Sequence, residues 1–166
     1  MGALIQKLLP AVALAMVAWN AAAAAPSLSI EGRSLSKDGV LTLGVGYESP
    51  SDVTVYSWRG HVYPLLGFGL TVTATDLEGR ALSVEPVAKV APKLPHARDT
   101  VTASTYRYPE PLVLRLLDER SQPFRGCADI HLDYDLTKDA SGNFRRAGLD
   151  LLQLRSNRIR VCSVGE

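Results

Sequence analysis

Cysteine, methionine and histidine are scarce in this sequence of 166 residues, which contains two Cys, two Met and three His. The histidines, His61, His96 and His131, are isolated from one another, and neither an HExxH nor a GxSxG motif is present. Zincin-type proteases require the first motif, and α/β-hydrolases the second. The missing motifs predict a protein that is not an enzyme and needs no cofactor.

The sequence also lacks an apolar run of the roughly 20 residues that a membrane-spanning helix requires. Its apolar stretch near the start, Leu8–Trp19, is interrupted by Pro10, follows a segment with one basic residue, Lys7, and precedes an alanine run, Ala21–Ala25. A basic start, a brief apolar core and small residues before a cleavage point are typical of a secretory signal peptide. We predict cleavage after Ala24, the alternative being an uncleaved anchor.

Cleavage there divides the chain into a signal peptide, residues 1–24, and a single domain, residues 25–166. The whole chain has 18 basic and 17 acidic residues, and the signal peptide removes one basic residue, so the domain is neutral. A neutral domain has no overall field to attract nucleic acid or an anionic membrane. We therefore predict no nucleic-acid partner, no membrane insertion after cleavage, and a periplasmic or secreted location.

The two cysteines of the domain, Cys127 and Cys162, are 35 positions apart. A cysteine pair in an exported protein is typical of a disulfide, and the loop-entropy model gives a bridge of this span about 4 kcal/mol of stabilisation. The competing interpretation is a pair of metal-ligand thiols, but the sequence contains no CxxC motif or nearby Cys/His set to support it. Cys127 is in phase with Asp129 and Cys162 with Arg160, so both lie on polar strand faces. The phase predicts a peripheral bridge, not one through the core.

Alternation of apolar and polar residues with period two dominates the domain. In segment 41–48, Leu, Leu, Val and Tyr alternate with Thr, Gly, Gly and Glu, which is typical of a strand with one buried face. A turn is predicted at Pro50–Asp52, and a crossing loop at 86–99. Further strands are predicted at 53–58, 70–75, 82–84, 101–106, 112–116, 128–134, 149–154 and 158–164. The predicted fold is an all-β, immunoglobulin-like antiparallel β-sandwich of about seven strands, with a small closed barrel as the alternative.

Several short motifs follow one another in a specific order along the domain. They are Ser49-Pro50-Ser51-Asp52 before Val53-Thr54-Val55, the stretch Trp58–Leu65, Asp76-Leu77-Glu78-Gly79-Arg80, Tyr134-Asp135-Leu136, Gly142-Asn143-Phe144 and Arg155-Ser156-Asn157. Over most of residues 27–164 this order resembles the immunoglobulin-like domain that precedes the catalytic domain of some secreted deuterolysin-type metalloproteases. It is also similar to free-standing immunoglobulin-like exported domains of unknown function. The resemblance implies a fold and a companion or inhibitory role, but no chemistry. The family's Gly-x-Tyr has Phe144 in place of its tyrosine here, so the hydroxyl contact is lost.

An acidic strand is the candidate for metal binding. Asp129, His131, Asp133 and Asp135 alternate with apolar residues and so share one face. Asp129, His131 and Asp133 are the possible ligands. The set is linear, whereas Ca²⁺ takes six or more oxygens, so an ordinary solvated face is the favoured interpretation. A metal-binding module on this face stays as an alternative.

Two aromatic segments are candidate partner surfaces. Arg59, His61 and Tyr63 lie in a glycine-bounded segment, 57–69, where aromatics beside an arginine are typical of binding hot spots. The alternative is that Trp58 and Phe68 of this segment plug the end of the sandwich. Tyr106 and Tyr108 lie beside prolines, which indicates either an edge that holds a partner's strand or one protected from aggregation. We predict an exported, non-catalytic module that binds a protein partner through these residues. The alternative within binding is protease inhibition through loops at one end of the sandwich.

Overall fold

A computed structural model describes residues 25–57, 69–87 and 97–163 of the chain. These residues form nine strands, one four-residue helix, α1 (Asn143–Arg146), and a 3₁₀ turn at Ala97–Asp99. The strands are β1 (Ser27–Leu35), β2 (Val40–Tyr56), β3 (Leu70–Asp76), β4 (Ala81–Pro86), β5 (Thr100–Arg107), β6 (Leu112–Leu117), β7 (Cys127–Asp135), β8 (Gln153–Arg155) and β9 (Ile159–Cys162). The predicted all-β class is confirmed. The predicted signal peptide lies outside the described residues, and within them no helix has the length and hydropathy to cross a membrane.

The strands form one hydrogen-bonded path that nearly closes on itself. Its order is β1-β2-β6-β4-β3-β7-β8, with β5 attached to β2 and β9 attached to β7, and the ladders are antiparallel. Two parallel bridges, Leu28 with Ser156 and Leu35 with Ser163, bring β1 back to the far end of the path. The structure describes nine strands where about seven were predicted. β8 and β9 pair with β7 one after the other, and β5 is a further partner of β2.

Alternation along the strands fills the barrel with apolar side chains. In β7 every second residue from Ala128 to Tyr134 is buried, and in β2 the buried residues include Leu41, Leu43 and Tyr47. A fully buried Leu or Ile side chain contributes about 1.5–3 kcal/mol on removal from water. The period-two pattern predicted for these two strands is therefore confirmed.

The turn predicted at Pro50–Asp52 is wrong, because β2 runs through this segment without a break. The register with β5 shifts between Glu48 and Val53, where four residues of β2 lie opposite a single residue of β5. This segment is a large β-bulge. A bulge accommodates the same residue types as a turn, since Pro50 has no N–H to contribute to a ladder.

The interruption between β8 and β9 is bridged by a side chain. A strand was predicted at 149–154, but only its last residues pair with β7, as part of β8. Pairing with β7 starts again at Ile159, in β9. In the gap, the Ser156 N–H donates to Leu132 O at 2.8 Å, and the Leu132 N–H donates to Ser156 Oγ at 2.8 Å. The serine hydroxyl therefore replaces the missing backbone acceptor.

Asn157 uses the same interruption to hold β1. The Ile30 N–H donates to Asn157 Oδ1 at 2.8 Å, and Asn157 Nδ2 donates to Ile30 O at 3.1 Å. The asparagine amide thus pairs with the backbone of β1 as a strand residue would. It satisfies a partly buried donor and acceptor whose loss of partners is costly.

Three hairpin turns at one end of the barrel, called the turn end below, are built alike. In each, the first residue's N–H donates to the fifth residue's carbonyl, and the fourth residue's N–H donates back to the first. The first residue's side-chain oxygen also accepts the N–H groups of the third and fifth residues. The fourth residue has a positive φ, as in three-residue hairpin loops. The turns span Ser36–Val40, Asp76–Arg80 and Asp118–Gln122.

Replacing Asn157 tests the closure of the barrel. Asn157→Ala leaves the Ile30 N–H and carbonyl without their side-chain partners, and we expect a loss of about 1–3 kcal/mol in the free energy of unfolding in urea. Hydrogen exchange at the Ile30 amide should accelerate. The control is Asn143→Ala, which removes a hydrogen bond to the exposed Arg146 side chain and should change stability by about 0.5 kcal/mol or less. Equal effects of the two variants would contradict the assignment.

Two glycines of the turn end form a matched pair. Both have positive φ, +73° at Gly39 and +81° at Gly79, but a Cβ at Gly39 would lie 2.6 Å from Leu116 O, whereas one at Gly79 meets nothing within 4 Å. Gly79→Ala should cost only the strain of the left-handed conformation, about 1–2 kcal/mol. Gly39→Ala should cost about 1–3 kcal/mol more because the backbone must shift. Thermal and urea unfolding would measure both variants, and equal losses would refute the clash.

Candidate functional site

The aromatic segment predicted to contact a partner is described only at its ends. Ser57 is buried, and its N–H and hydroxyl both donate to Asp99 O, at 2.7 and 2.8 Å. At the other end, Gly69 leaves so little space that a Cβ would lie 2.5 Å from the Leu136 side chain. Three predicted contact residues lie outside the described residues, and their role stays a prediction: Arg59, His61 and Tyr63.

The other two predicted contact residues, Tyr106 and Tyr108, pack into the molecule. Tyr108 is 2% exposed, and its N–H donates to Val45 O at 3.0 Å, so β5 continues to pair with β2 beyond its last assigned residue. The two tyrosine rings meet edge to face with centroids 4.9 Å apart. The strand's alternation turns the ring of Tyr108 inwards, and the role of Tyr106 and Tyr108 in partner binding stays a prediction.

Buried tyrosines from β2, β5 and β7 gather around Tyr108. Burial raises the pKa of Tyr108 well above its ordinary value, and three neighbouring tyrosines add to the effect. Burial also raises the pKa of Tyr56 to about 12, with the Asp99 carboxylate adding to it. These phenols stay protonated at neutral pH and supply no nucleophile or base. In the described part of the chain, five buried hydroxyls lack a hydrogen-bond partner: those of Tyr47, Ser49, Tyr56, Tyr106 and Tyr134.

The acidic face of β7 is tied to arginines of the neighbouring strands. Arg160 donates to both carboxylate oxygens of Asp129, at 2.8 and 3.0 Å. Arg155 Nε donates to Asp133 Oδ1 at 2.5 Å, and His131 Nε2 lies 3.4 Å from the other oxygen of Asp133. The predicted shared face of this strand is confirmed. The pairing of these arginines with Asp129 and Asp133 could not be predicted from the sequence, since only strand pairing brings them opposite each other.

The metal-binding alternative for Asp129, His131 and Asp133 conflicts with this pairing. The hydrogen bonds from Arg160 outweigh desolvation and lower the pKa of Asp129, so its carboxylate is already charge-balanced. Among the described residues, no three His, Cys, Asp or Glu side chains are grouped so that they could hold a metal ion. A cation here would have to displace an arginine from each carboxylate.

The predicted disulfide between Cys127 and Cys162 is confirmed. The two residues lie directly opposite each other in the β7–β9 ladder, with Cα atoms 3.9 Å apart. Cys162 is exposed and Cys127 is half-buried, both on the polar phase of their strands. The predicted peripheral position is therefore also confirmed, and the bridge joins neighbouring strands of one sheet.

A groove at the turn end, called the turn-end groove below, was not predicted. It lies between the β3–β4 turn and the loop that follows β6, with a volume of about 630 Å³. Leu82 and Phe124, each 9% exposed, contribute apolar surface to it, and Arg80, Arg120 and Arg125 contribute charge. The available sequence signal was the shared turn pattern, in which a Ser or Asp is followed three residues later by Gly or Ser.

The aspartates of this groove are engaged within their own turns. Asp76 is 6% exposed and accepts the Arg80 N–H at 2.8 Å and Arg80 Nε at 2.6 Å. Desolvation alone would raise the pKa of Asp76, but these hydrogen bonds outweigh it and lower that pKa. Asp118 Oδ1 likewise accepts two backbone N–H groups of its turn, at 2.9 and 2.8 Å.

Two arginines of the groove keep free donors. Neither Arg120 nor Arg125 forms an ion pair with any described residue, and Arg125 only donates Nε to Lys37 O at 3.2 Å. Leu77, at the tip of the β3–β4 turn, is 54% exposed and is the most exposed large apolar side chain among the described residues. Unpaired guanidinium groups beside apolar surface are the composition of a binding surface.

The peripheral disulfide should be reducible while the domain stays folded, because the bridge lies on the outer face. A non-reduced digest should yield one peptide pair joined through Cys127 and Cys162. Thiol titration in native buffer should then show both cysteines reacting before far-ultraviolet circular dichroism changes. The loop-entropy model predicts a loss of about 4 kcal/mol in unfolding free energy on reduction. A bridge that resists reductant until the whole domain unfolds would disprove its peripheral placement.

Comparison with known proteins yields no match to a family model, to a curated protein or to a solved structure. The resemblance to the domain that precedes deuterolysin-type catalytic domains therefore stays a prediction.

Proposed function

We propose that the protein is an exported, non-catalytic module that binds a protein partner. The observation that carries the proposal is the turn-end groove, which combines apolar surface with arginines that have no partner among the described residues. Its walls are turns whose backbone groups are hydrogen-bonded by Asp76 and Asp118. A preorganised wall loses little conformational entropy on binding, which favours affinity.

Export is supported by the bonded cysteine pair. Exposed disulfides persist in the periplasm and outside the cell, whereas the thiol systems of the cytosol keep cysteines reduced. The exposed position of Cys162 makes the compartment matter, because a reducing environment would reach the bridge. We propose a periplasmic or extracellular location on this basis, together with the signal peptide predicted from the sequence.

Binding is favoured over catalysis by the state of the polar groups. The buried tyrosines are held protonated, and the carboxylates of Asp129 and Asp133 are bound by arginines. Neither group can act as a general base without first losing the contacts that hold it. The acidic face of β7 is thus better explained as structural than as a catalytic or metal site.

We infer an immunoglobulin-like sandwich from the strand order. The β3–β4 pairing is short, and β1 meets β8 only through isolated contacts. If the path is divided at these two places, it gives the sheets β1-β2-β6-β4 and β3-β7-β8/β9. This corresponds to the ABED and CFG sheets of a constant-type immunoglobulin domain, with β5 as an addition. A companion or protease-inhibitor role, implied by the resemblance to metalloprotease-associated domains, is the alternative function.

Site-specific photo-crosslinking in cells that export the protein tests the proposal. A photoreactive phenylalanine analogue at Leu77 should give a discrete adduct with a partner, since this exposed residue follows Asp76 in the turn that forms one wall of the groove. The matched control places the analogue at Arg145, an exposed residue of α1 at the opposite end of the barrel. A second variant places the analogue at Arg120, which lines the groove. If neither the Leu77 nor the Arg120 variant gives an adduct, or if the Arg145 variant gives the same adducts, binding at the groove is refuted.

A further inference from the structure

We infer that the segment bound in the turn-end groove presents a carboxylate next to an apolar side chain. This inference rests on the proposed function and adds the chemistry of the partner. It follows from which charges of the groove are already used. The groove contains several acidic side chains, so the total charge alone does not decide the partner.

The acidic side chains are concentrated around one arginine. Arg80 pairs with Asp76 at 2.6 Å and with Glu78 at 3.3 Å, and the nearby Glu119 also raises the pKa of Arg80. Asp118 is occupied by its own turn. Arg80 is therefore already engaged by acidic side chains and has little attraction left for a further carboxylate.

The two remaining arginines of the groove lack such ion pairs among the described residues. Arg120 has all its guanidinium N–H groups free of described partners, and Arg125 uses one of its own on a backbone carbonyl. Guanidinium groups bind carboxylates in a planar, often bidentate arrangement, which gives direction as well as attraction. A carboxylate of the partner can therefore bind Arg120 or Arg125 without displacing an existing ion pair.

The apolar part of the partner follows from the floor of the groove. Leu82 and Phe124 are nearly buried and line the same groove as these arginines, and Leu77 is exposed in the β3–β4 turn. An apolar side chain that enters the groove removes surface of both molecules from water. Exclusion of water also strengthens the neighbouring ion pairs, because the local dielectric falls. The two features of the partner therefore support each other.

Three capped peptides probe this chemistry on the purified full chain. They are acetyl-Asp-Leu-Asp-Phe-Asp-amide, the same peptide with Asn for Asp, and the same peptide with Lys for Asp. Arginine Nε–Hε and leucine methyl resonances report the binding position. We expect the acidic peptide to shift the Arg120, Arg125 and Leu77 signals, and its affinity to fall severalfold as ionic strength rises from about 0.02 to about 0.2 M.

Substitutions separate charge from shape. Arg120→Gln and Arg125→Gln should each weaken the acidic peptide about threefold, and the double variant about tenfold, as expected for exposed ion pairs. Binding of the Asn peptide should not change. The matched control, Arg145→Gln, removes an exposed arginine of α1 and should leave both affinities unaltered.

Equal or tighter groove binding by the Asn or Lys peptide overturns the inference and leaves the proposed function standing. Failure of the acidic peptide to shift the Arg120 and Arg125 signals also overturns it. The proposed function itself fails if the photo-crosslinking experiment gives no adduct at the groove or gives the same adducts from Arg145, so the two failures are distinguishable.

Discussion

The barrel depends on four hydrogen bonds made at one interruption of one strand. The backbone and side chain of Ser156 complete the ladder with Leu132, and the amide of Asn157 pairs with both backbone groups of Ile30. Together with the Leu28–Ser156 and Leu35–Ser163 bridges, the Asn157 bonds keep β1 from being an open edge, which would expose a row of unpaired backbone groups to solvent or to other chains. The free energy of unfolding of a folded domain is only about 5–15 kcal/mol. The loss of about 1–3 kcal/mol expected on removing the Asn157 amide is a sizeable part of it.

The sequence predicts the features that depend on local alternation. The inward phase of β7 and the outward phase of Cys127 follow from side chains that point to opposite faces in turn. The bulge at Pro50 was mistaken for a turn because both accept the same residues. The prolines beside Tyr108 predicted a sheet edge, and β5 pairs with β2 alone among the described strands, but the inward position of the Tyr108 ring depends on backbone pairing that continues past Arg107.

Features that join distant segments are not visible in the sequence. The turn-end groove forms because β4 pairs with β3 on one side and β6 on the other, which brings the Asp76 and Asp118 turns together. The pairing of Arg155 with Asp133 likewise needs the register of β7 and β8. The partner-free arginines stand out only once the ion pairs of their neighbours are known, so the candidate site follows from the fold.

The direction of β1 relative to β9 determines how the domain carries mechanical load. The two strands run parallel and meet at Leu28–Ser156 and Leu35–Ser163. A force that pulls the start of β1 away from the end of β9 therefore loads these contacts in shear, and they must fail together, not one after another. The force passes through the Cys127–Cys162 bridge. The chain between these two cysteines, which are 35 positions apart, therefore cannot extend while the bridge is intact. Under tension the strands before Cys127 must extend first, while β7, α1 and β8 stay inside a closed covalent loop.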